Sequence, residues 1–173
     1  MCNLHDRQIG IGFESLPKKF QDAITVTREL GIQYLWIDSI CIIQRHQNRT
    51  AECLSPGQCP ESKDWDDECD RMEQYFGAAY CTIAATSATD HQGDGGFLER
   101  WSDAFWATES QSSDIDSIDN FRRDVEDAEL NTRGWVLQER ALSRRIIHFT
   151  STQAYWECGG EGVRSETLSR LQK

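Results

Sequence analysis

The stretch Arg133-Gly134-Trp135-Val136-Leu137-Gln138-Glu139-Arg140 gathers two arginines, a tryptophan and a carboxylate into a very short span. Two strand-like runs follow at once, Arg145 to Thr150 and Gln153 to Cys158, with a gap short enough for an antiparallel hairpin. Thr132 is placed to cap a short helix, from which Trp135, Gln138, Glu139 and Leu142 recur at helical spacing. Such a helix mixes core and site residues on neighbouring faces. A purely structural helix has little use for that mixture.

Toward the N-terminus, Met1 to Glu14 reads as an arm or a short strand, with glycines at 10 and 12. Pro17 then suits a first helical turn, and Phe20, Ala23, Ile24, Thr27 and Leu30 recur at helical spacing before Gly31 supplies a C-terminal stop. Tyr34-Leu35-Trp36-Ile37-Asp38 is almost continuously apolar, the pattern of a strand buried on both faces of a parallel sheet. Asp38 and Ser39 fall at its carboxyl end, where open α/β sheets bind ligands. On spacing alone, Asp38 equally serves as a local cap.

Asp64 is a candidate N-cap for a further helix, with Trp65, Cys69, Met72, Phe76 and Ala79 as its apolar stripe and Asp66, Asp67, Asp70 and Glu73 facing water. Tyr80 to Ala85 follows as a short buried strand. The order helix, strand, helix, strand predicts a layered α/β domain. Gly93-Asp94-Gly95-Gly96 lacks the lysine and the spacing of a phosphate cradle and reads as a turn into Phe97 and Leu98. Trp101 to Thr108 is a candidate strand, and Glu109 to Asn120 is a serine- and aspartate-rich acidic loop.

The chain has 173 residues, enough for one domain with a fair-sized core. With 29 acidic against 18 basic residues and a formal charge of -11, it is no general binder of nucleic acid or anionic membrane, because phosphate contacts need a basic face. Small anions held by local arginines remain open. Seven cysteines form no disulfide framework, and the N-terminus carries no apolar run of signal-peptide type. An intracellular, cytoplasmic, reduced protein is expected, with no membrane span. His46, Cys53, Cys59 and Cys69 match none of the tight ligand pairs of a zinc site, so no metal is expected and the polar run is read as an inserted loop.

Three blocks together resemble the fungal heterokaryon-incompatibility domain. They are Leu30 to Gln44 around Trp36-Ile37-Asp38-Ser39; Asp64-Trp65 through Met72, Tyr75 and Ala79 to Thr82-Ile83-Ala84-Ala85; and Arg133-Gly134-Trp135 through Gln138-Glu139-Arg140 to Trp156-Glu157-Cys158. On this basis residues 1–14 are an arm, 15–158 the domain with variable loops at 47–63 and 109–130, and 159–173 a polar tail. The family's opening Ser-Tyr-x-Trp-Gly strand has no counterpart, so an N-terminally truncated domain is expected.

The resemblance implies a self/non-self effector that triggers programmed cell death after unlike fungal cells fuse. It also implies a likeness to the Toll/interleukin-1 receptor (TIR) fold, a flavodoxin-like, mostly parallel sheet flanked by helices, here with the C-terminal antiparallel hairpin. Trp135 to Glu139 is similar to the TIR block in which tryptophan precedes a glutamate, and certain TIR domains use that glutamate to hydrolyse NAD. Two functions follow as expectations. In the enzymatic one Glu139 is catalytic, Arg133 and Arg140 hold the pyrophosphate, Trp135 offers a stacking surface, and Gln138, Asp38 and Ser39 line the ligand site, with NAD as substrate and no resident cofactor. In the other the domain is a non-catalytic signalling module that acts by self-association or through fused partner domains, or a degenerate relative without activity.

Overall fold

The computed structural model describes residues 8–43, 60–87, 95–98, 120–159 and 162–166. Helix α1 spans Lys18–Glu29, with Pro17 at its N-cap position. It ends as the sequence predicts: Gly31 adopts φ +70°, its N–H donates to the Arg28 carbonyl at 2.9 Å, and the Ile32 N–H donates to Thr27 at 3.0 Å. This pair of bonds is a Schellman cap, and only glycine takes the left-handed position without strain. The buried face carries Asp22, Ala23 and Thr27, so it is rotated slightly from the expected stripe and leaves Leu30 exposed.

The segment from Tyr34 to Asp38 corrects the sequence reading. Residues 32–37 belong to no strand of the described sheet, and Asp38 opens a short helix, α2 (Asp38–Cys41). A strand exists through its ladder partners, and the apolar run finds side-chain partners instead. Leu35 packs on the core beside α1, and Trp36 stacks on Tyr75 and Phe76 at ring-centroid distances of 5.1 and 5.8 Å. Tyr34 remains solvent-exposed.

The second predicted helix is two: α3 (Pro60–Cys69) and α4 (Met72–Ala78), broken at Asp70 and Arg71. Asp64 does not cap it, because the helix starts earlier. Its carboxylate instead accepts the Ile43 N–H at 2.8 Å, tying the chain after α2 to α3. Asp66, Asp67, Asp70 and Glu73 are exposed as expected, and Met72 is buried.

The sheet has four strands in the order β1 (Thr82–Ala84), β2 (Arg145–Phe149), β3 (Ala154–Cys158) and β4 (Gly162–Glu166). The pair β1·β2 is parallel, whereas β2·β3 and β3·β4 are antiparallel. The described sheet is therefore mixed, not mostly parallel. The hairpin forms where the sequence places it, closed by Thr150, whose N–H and hydroxyl both donate to the Gln153 carbonyl. Residues 162–166, expected within a polar tail, extend it by a strand.

Strand alternation separates two cores. Ile147 and Phe149 face α1 with Ala23, Phe97, Ile83 and Leu35. His148 and Tyr155, opposite each other in the ladder, share the other face with Phe121 and Val125. Phe121 and Val125 belong to a π-helical turn (Arg122–Glu126) and its cap, followed by a 3-10 turn (Glu129–Thr132), so the C-terminal part of the acidic region expected as a loop is helical and packed. Tyr155 is fully buried and its hydroxyl donates to Asp124 at 2.9 Å. Burial first, and then the Asp124 bond, pushes that phenol up to about 12. The zinc candidates His46, Cys53 and Cys59, the candidate strand 101–108, and residues 109–119 lie outside the described residues. Of the cysteines described, Cys41, Cys69, Cys81 and Cys158 are free thiols. No helix among the described residues is long and apolar enough to cross a membrane.

Gly95 and Gly96 lead into Phe97 as the turn reading requires, and the turn is fixed by α1. The Asp22 carboxylate, almost fully buried, accepts the Leu98 N–H at 2.9 Å. A Cβ on Gly96 would fall 2.1 Å from Asp22 Oδ2. Gly96→Ala is therefore expected to destabilise the protein by about 1–3 kcal/mol. Gly134→Ala, which meets nothing within 4 Å, should lose none. Urea midpoints of the two variants check this, and equal midpoints would remove the Asp22 turn from the core.

Candidate functional site

Helix α5 (Gly134–Leu142) carries the site. Thr132 does not cap it; its hydroxyl donates to the Glu129 carbonyl at 2.7 Å, and Arg133 takes the N-cap position without a side-chain bond. The far end of α5 is held to β1, where Ser143 Oγ donates to the Glu139 carbonyl and lies 2.7 Å from Thr82 Oγ1. The helix thus lies along the β1·β2 edge of the sheet.

Between them is a cleft of about 140 Å³, lined by Thr82, Ala84, Asn131, Val136, Glu139, Arg140 and His148 among others. Consecutive residues Thr82 to Ala85 line it, so it runs along β1 and does not sit beyond the strand's carboxyl end. Glu139 also borders a shallow apolar dimple on the adjoining face of the helix, with Met72, Phe76, Trp135 and Gln138. Glu139 is partly buried. Its proton affinity is raised, first by that burial and then by the nearby charge of Asp38, while Arg133 pulls it back down. The fold therefore brings Asp38, Arg133 and Glu139 into one electrostatic neighbourhood across a long stretch of sequence. A half-buried carboxylate beside a second one makes a region of negative potential suited to a cationic group.

The other predicted ligands are placed as follows. Asp38 is exposed at the start of α2 and accepts the Ser39 backbone N–H at 2.6 Å. Ser39 sits beside it on the same short helix. Trp135 is 59% exposed on the surface of α5, and Gln138 is exposed next to Glu139. Arg133 is exposed, and its guanidinium forms no hydrogen bond or ion pair among the described residues.

Arg140 is engaged within the protein. Its Nε and Nη2 grip the Glu157 carboxylate in a fork, with contacts of 2.9 to 3.2 Å, and the guanidinium lies 5.6 Å from the Phe121 ring centroid. The same carboxylate meets His148 Nε2 at 2.8 Å. Burial acts to raise the Glu157 pKa, but the bonds from His148 and Arg140 outweigh it and hold the group at about 2. The other ring nitrogen, His148 Nδ1, is buried and has no partner among the described residues. Leaving such an atom unpaired costs about 1–3 kcal/mol.

His148 and Glu157 were not singled out by the sequence reading. The signal was present: a histidine interrupts the apolar run Ile146-Ile147-His148-Phe149, and Glu157 stands in register to share its face. Among the described residues no cluster of side chains is arranged to hold a metal ion.

Comparison with known proteins adds the family. A family model described as heterokaryon incompatibility protein (HET) matches residues 2–56 and 57–139. The chain belongs to this family. No curated protein and no solved structure gave a match. The HET match takes in Asp38, Ser39, Arg133, Trp135, Gln138 and Glu139, and it stops before Arg140, His148 and Glu157. Membership in the HET family implies a role in heterokaryon incompatibility.

The depressed pKa of Glu157 fixes a pH dependence. A carboxylate held at about 2 in the folded state, against an ordinary 4.5, contributes stability that is complete above the ordinary range and is lost as pH falls toward 2. Arg140→Met is expected to cost about 1.5–3 kcal/mol at neutral pH and to start acid unfolding at higher pH. Thermal melts across the acid range measure both, and an unchanged acid limb would mean that the fork does not hold Glu157.

Proposed function

We propose that this HET domain is the effector of an incompatibility response leading to cell death, and that the cleft beside Glu139 cleaves the bond between nicotinamide and ribose in NAD. The observation that carries this reading is the position of Glu139: partly buried, on the wall of the cleft, under the joint influence of Asp38 and Arg133. In this reaction the leaving group is already a cationic pyridinium and needs no proton. The barrier lies in building oxocarbenium-like charge on the ribose, which one well-placed carboxylate stabilises. Asp38 strengthens that negative field, and Arg133 at the start of α5 is the cation to meet a phosphate. Arg140 takes no part in phosphate binding in this reading, because Glu157 occupies its guanidinium. The cleft is smaller than the roughly 300–1,000 Å³ of drug-sized ligand pockets, so it takes the reacting end of the dinucleotide and leaves the rest along the surface near Arg133 and Trp135. The TIR likeness of the Trp135 to Glu139 block supports the same assignment.

A second reading, a non-catalytic module acting through assembly, is favoured by the exposed apolar side chains of α5, Trp135 at 59% and Leu137 at 66%. Glu139→Gln separates the two, since it keeps the shape and removes the charge. In the enzymatic reading, incubation of the purified wild type with NAD releases nicotinamide, and Glu139→Gln lowers the rate by at least about 10²-fold, the loss typical of a removed electrostatic stabiliser. The wild-type kcat/KM should rise with pH through a carboxylate pKa above the ordinary range, following the shift of Glu139. Full cell killing by Glu139→Gln, with no nicotinamide released by either protein, leaves the assembly reading.

A further inference from the structure

The Arg140, Glu157 and His148 chain ends on an atom that binds nothing among the described residues. Glu157 receives the Arg140 fork on one side and His148 Nε2 on the other. An ionised carboxylate only accepts hydrogen bonds, so Nε2 carries the hydrogen, and in the neutral ring Nδ1 is left with a lone pair. His148 is 2% exposed and is among the residues that line the cleft, while its Nδ1 has no partner among the described residues. Packing alone gives no reason to fix an imidazole this firmly and leave its acceptor unused. The Phe121 ring meets it edge-on at a centroid distance of 5.9 Å.

The cleft's other polar walls have the same character. Glu139 presents a carboxylate, and Asn131 spends an amide N–H on the Val125 carbonyl, which leaves its own oxygen as an acceptor. Arg140 borders the cleft, but its fork is committed to Glu157. Acceptors on several walls of a small cleft select a ligand rich in hydrogen-bond donors and carrying no negative charge. In a nucleotide that description fits the ribose, with its vicinal hydroxyls, and excludes the phosphates.

We propose that the cleft is a ribose subsite in which His148 Nδ1 accepts a hydrogen bond from a sugar hydroxyl, with Glu157 and Arg140 as positioning residues that fix the ring and its tautomer. This deepens the NAD reading above and rests on it for the choice of sugar. Nδ1 is sealed from solvent in the free protein, so the bond forms only when the side chains around it give way to the entering sugar.

The test is nitrogen NMR of the full chain labelled at histidine, titrated with nicotinamide riboside, with adenosine and with inorganic pyrophosphate. NAD is titrated against the Glu139→Gln variant so that it is not turned over. Both ribosides and NAD are expected to shift the His148 Nδ1 resonance, and pyrophosphate to leave it in place. His148→Phe, which keeps a ring of similar size and loses both nitrogens, should weaken riboside binding about tenfold, the worth of one neutral hydrogen bond. Glu157→Gln, which loosens the tautomer, should also shrink the riboside-induced shift of His148 Nδ1, an effect that a merely structural role would not produce.

If neither riboside nor NAD moves Nδ1, or if pyrophosphate does, the ribose subsite is overturned. Hydrolysis of NAD with Nδ1 unmoved would overturn it too and keep the NAD reading. Ribosides that shift Nδ1 without any hydrolysis of NAD would uphold the subsite and end the NAD reading. A His148→Phe variant that does not fold leaves the resonance shifts to decide.

Discussion

One carboxylate joins the elements on which the cleft depends. Glu157 on β3 is gripped by Arg140 from α5 and by His148 from β2, so a single half-buried group fixes the helix against two strands. Ion pairs at surfaces contribute little, but this one is partly buried and bonded from both sides, and breaking it strands a charge. The position of α5 over the sheet, and hence of Glu139 over the cleft, follows from that anchor together with the Ser143 and Thr82 contact at the end of the helix.

The same anchor explains a division of labour among the arginines. Arg133 at the N-cap and Arg140 in the last turn of one short helix look alike in sequence. The structure commits Arg140 to Glu157 and leaves Arg133 at the exposed N-terminus of α5, beside the neighbourhood of Asp38 and Glu139. In a chain with a formal charge of -11, the proposed function asks one locally placed cation to receive an anionic tail without a basic surface. In the reaction proposed above, the acidic pair would have the opposite task, favouring positive charge at the reacting end of the ligand.

Trp36 shows how a strong local pattern is redirected by its neighbours. The run from Tyr34 to Asp38 has the composition of a buried strand, yet its tryptophan stacks on two rings of α4 and its aspartate starts a helix. The run remains extended and still delivers Asp38 to the vicinity of Glu139. Proximity of this kind needs only the course of the chain, not a ladder of hydrogen bonds.

The sequence by itself determined the helix at Lys18–Glu29 with its glycine stop, the strands around Thr82 and through the C-terminal hairpin, the acidic solvent face of α3 and α4, and the grouping of functional types in Arg133 to Arg140. Those are local properties: periodicity, turn chemistry and capping act over a few residues. Only the tertiary structure decided that the sheet is mixed, that Phe121 and Val125 close a second core, that Arg140 is bound by Glu157, and that His148 lines a cleft with Glu139. Each of these depends on which side chains meet across long separations, and a lone histidine or glutamate in a strand carries no local sign of the partner that will give it a role.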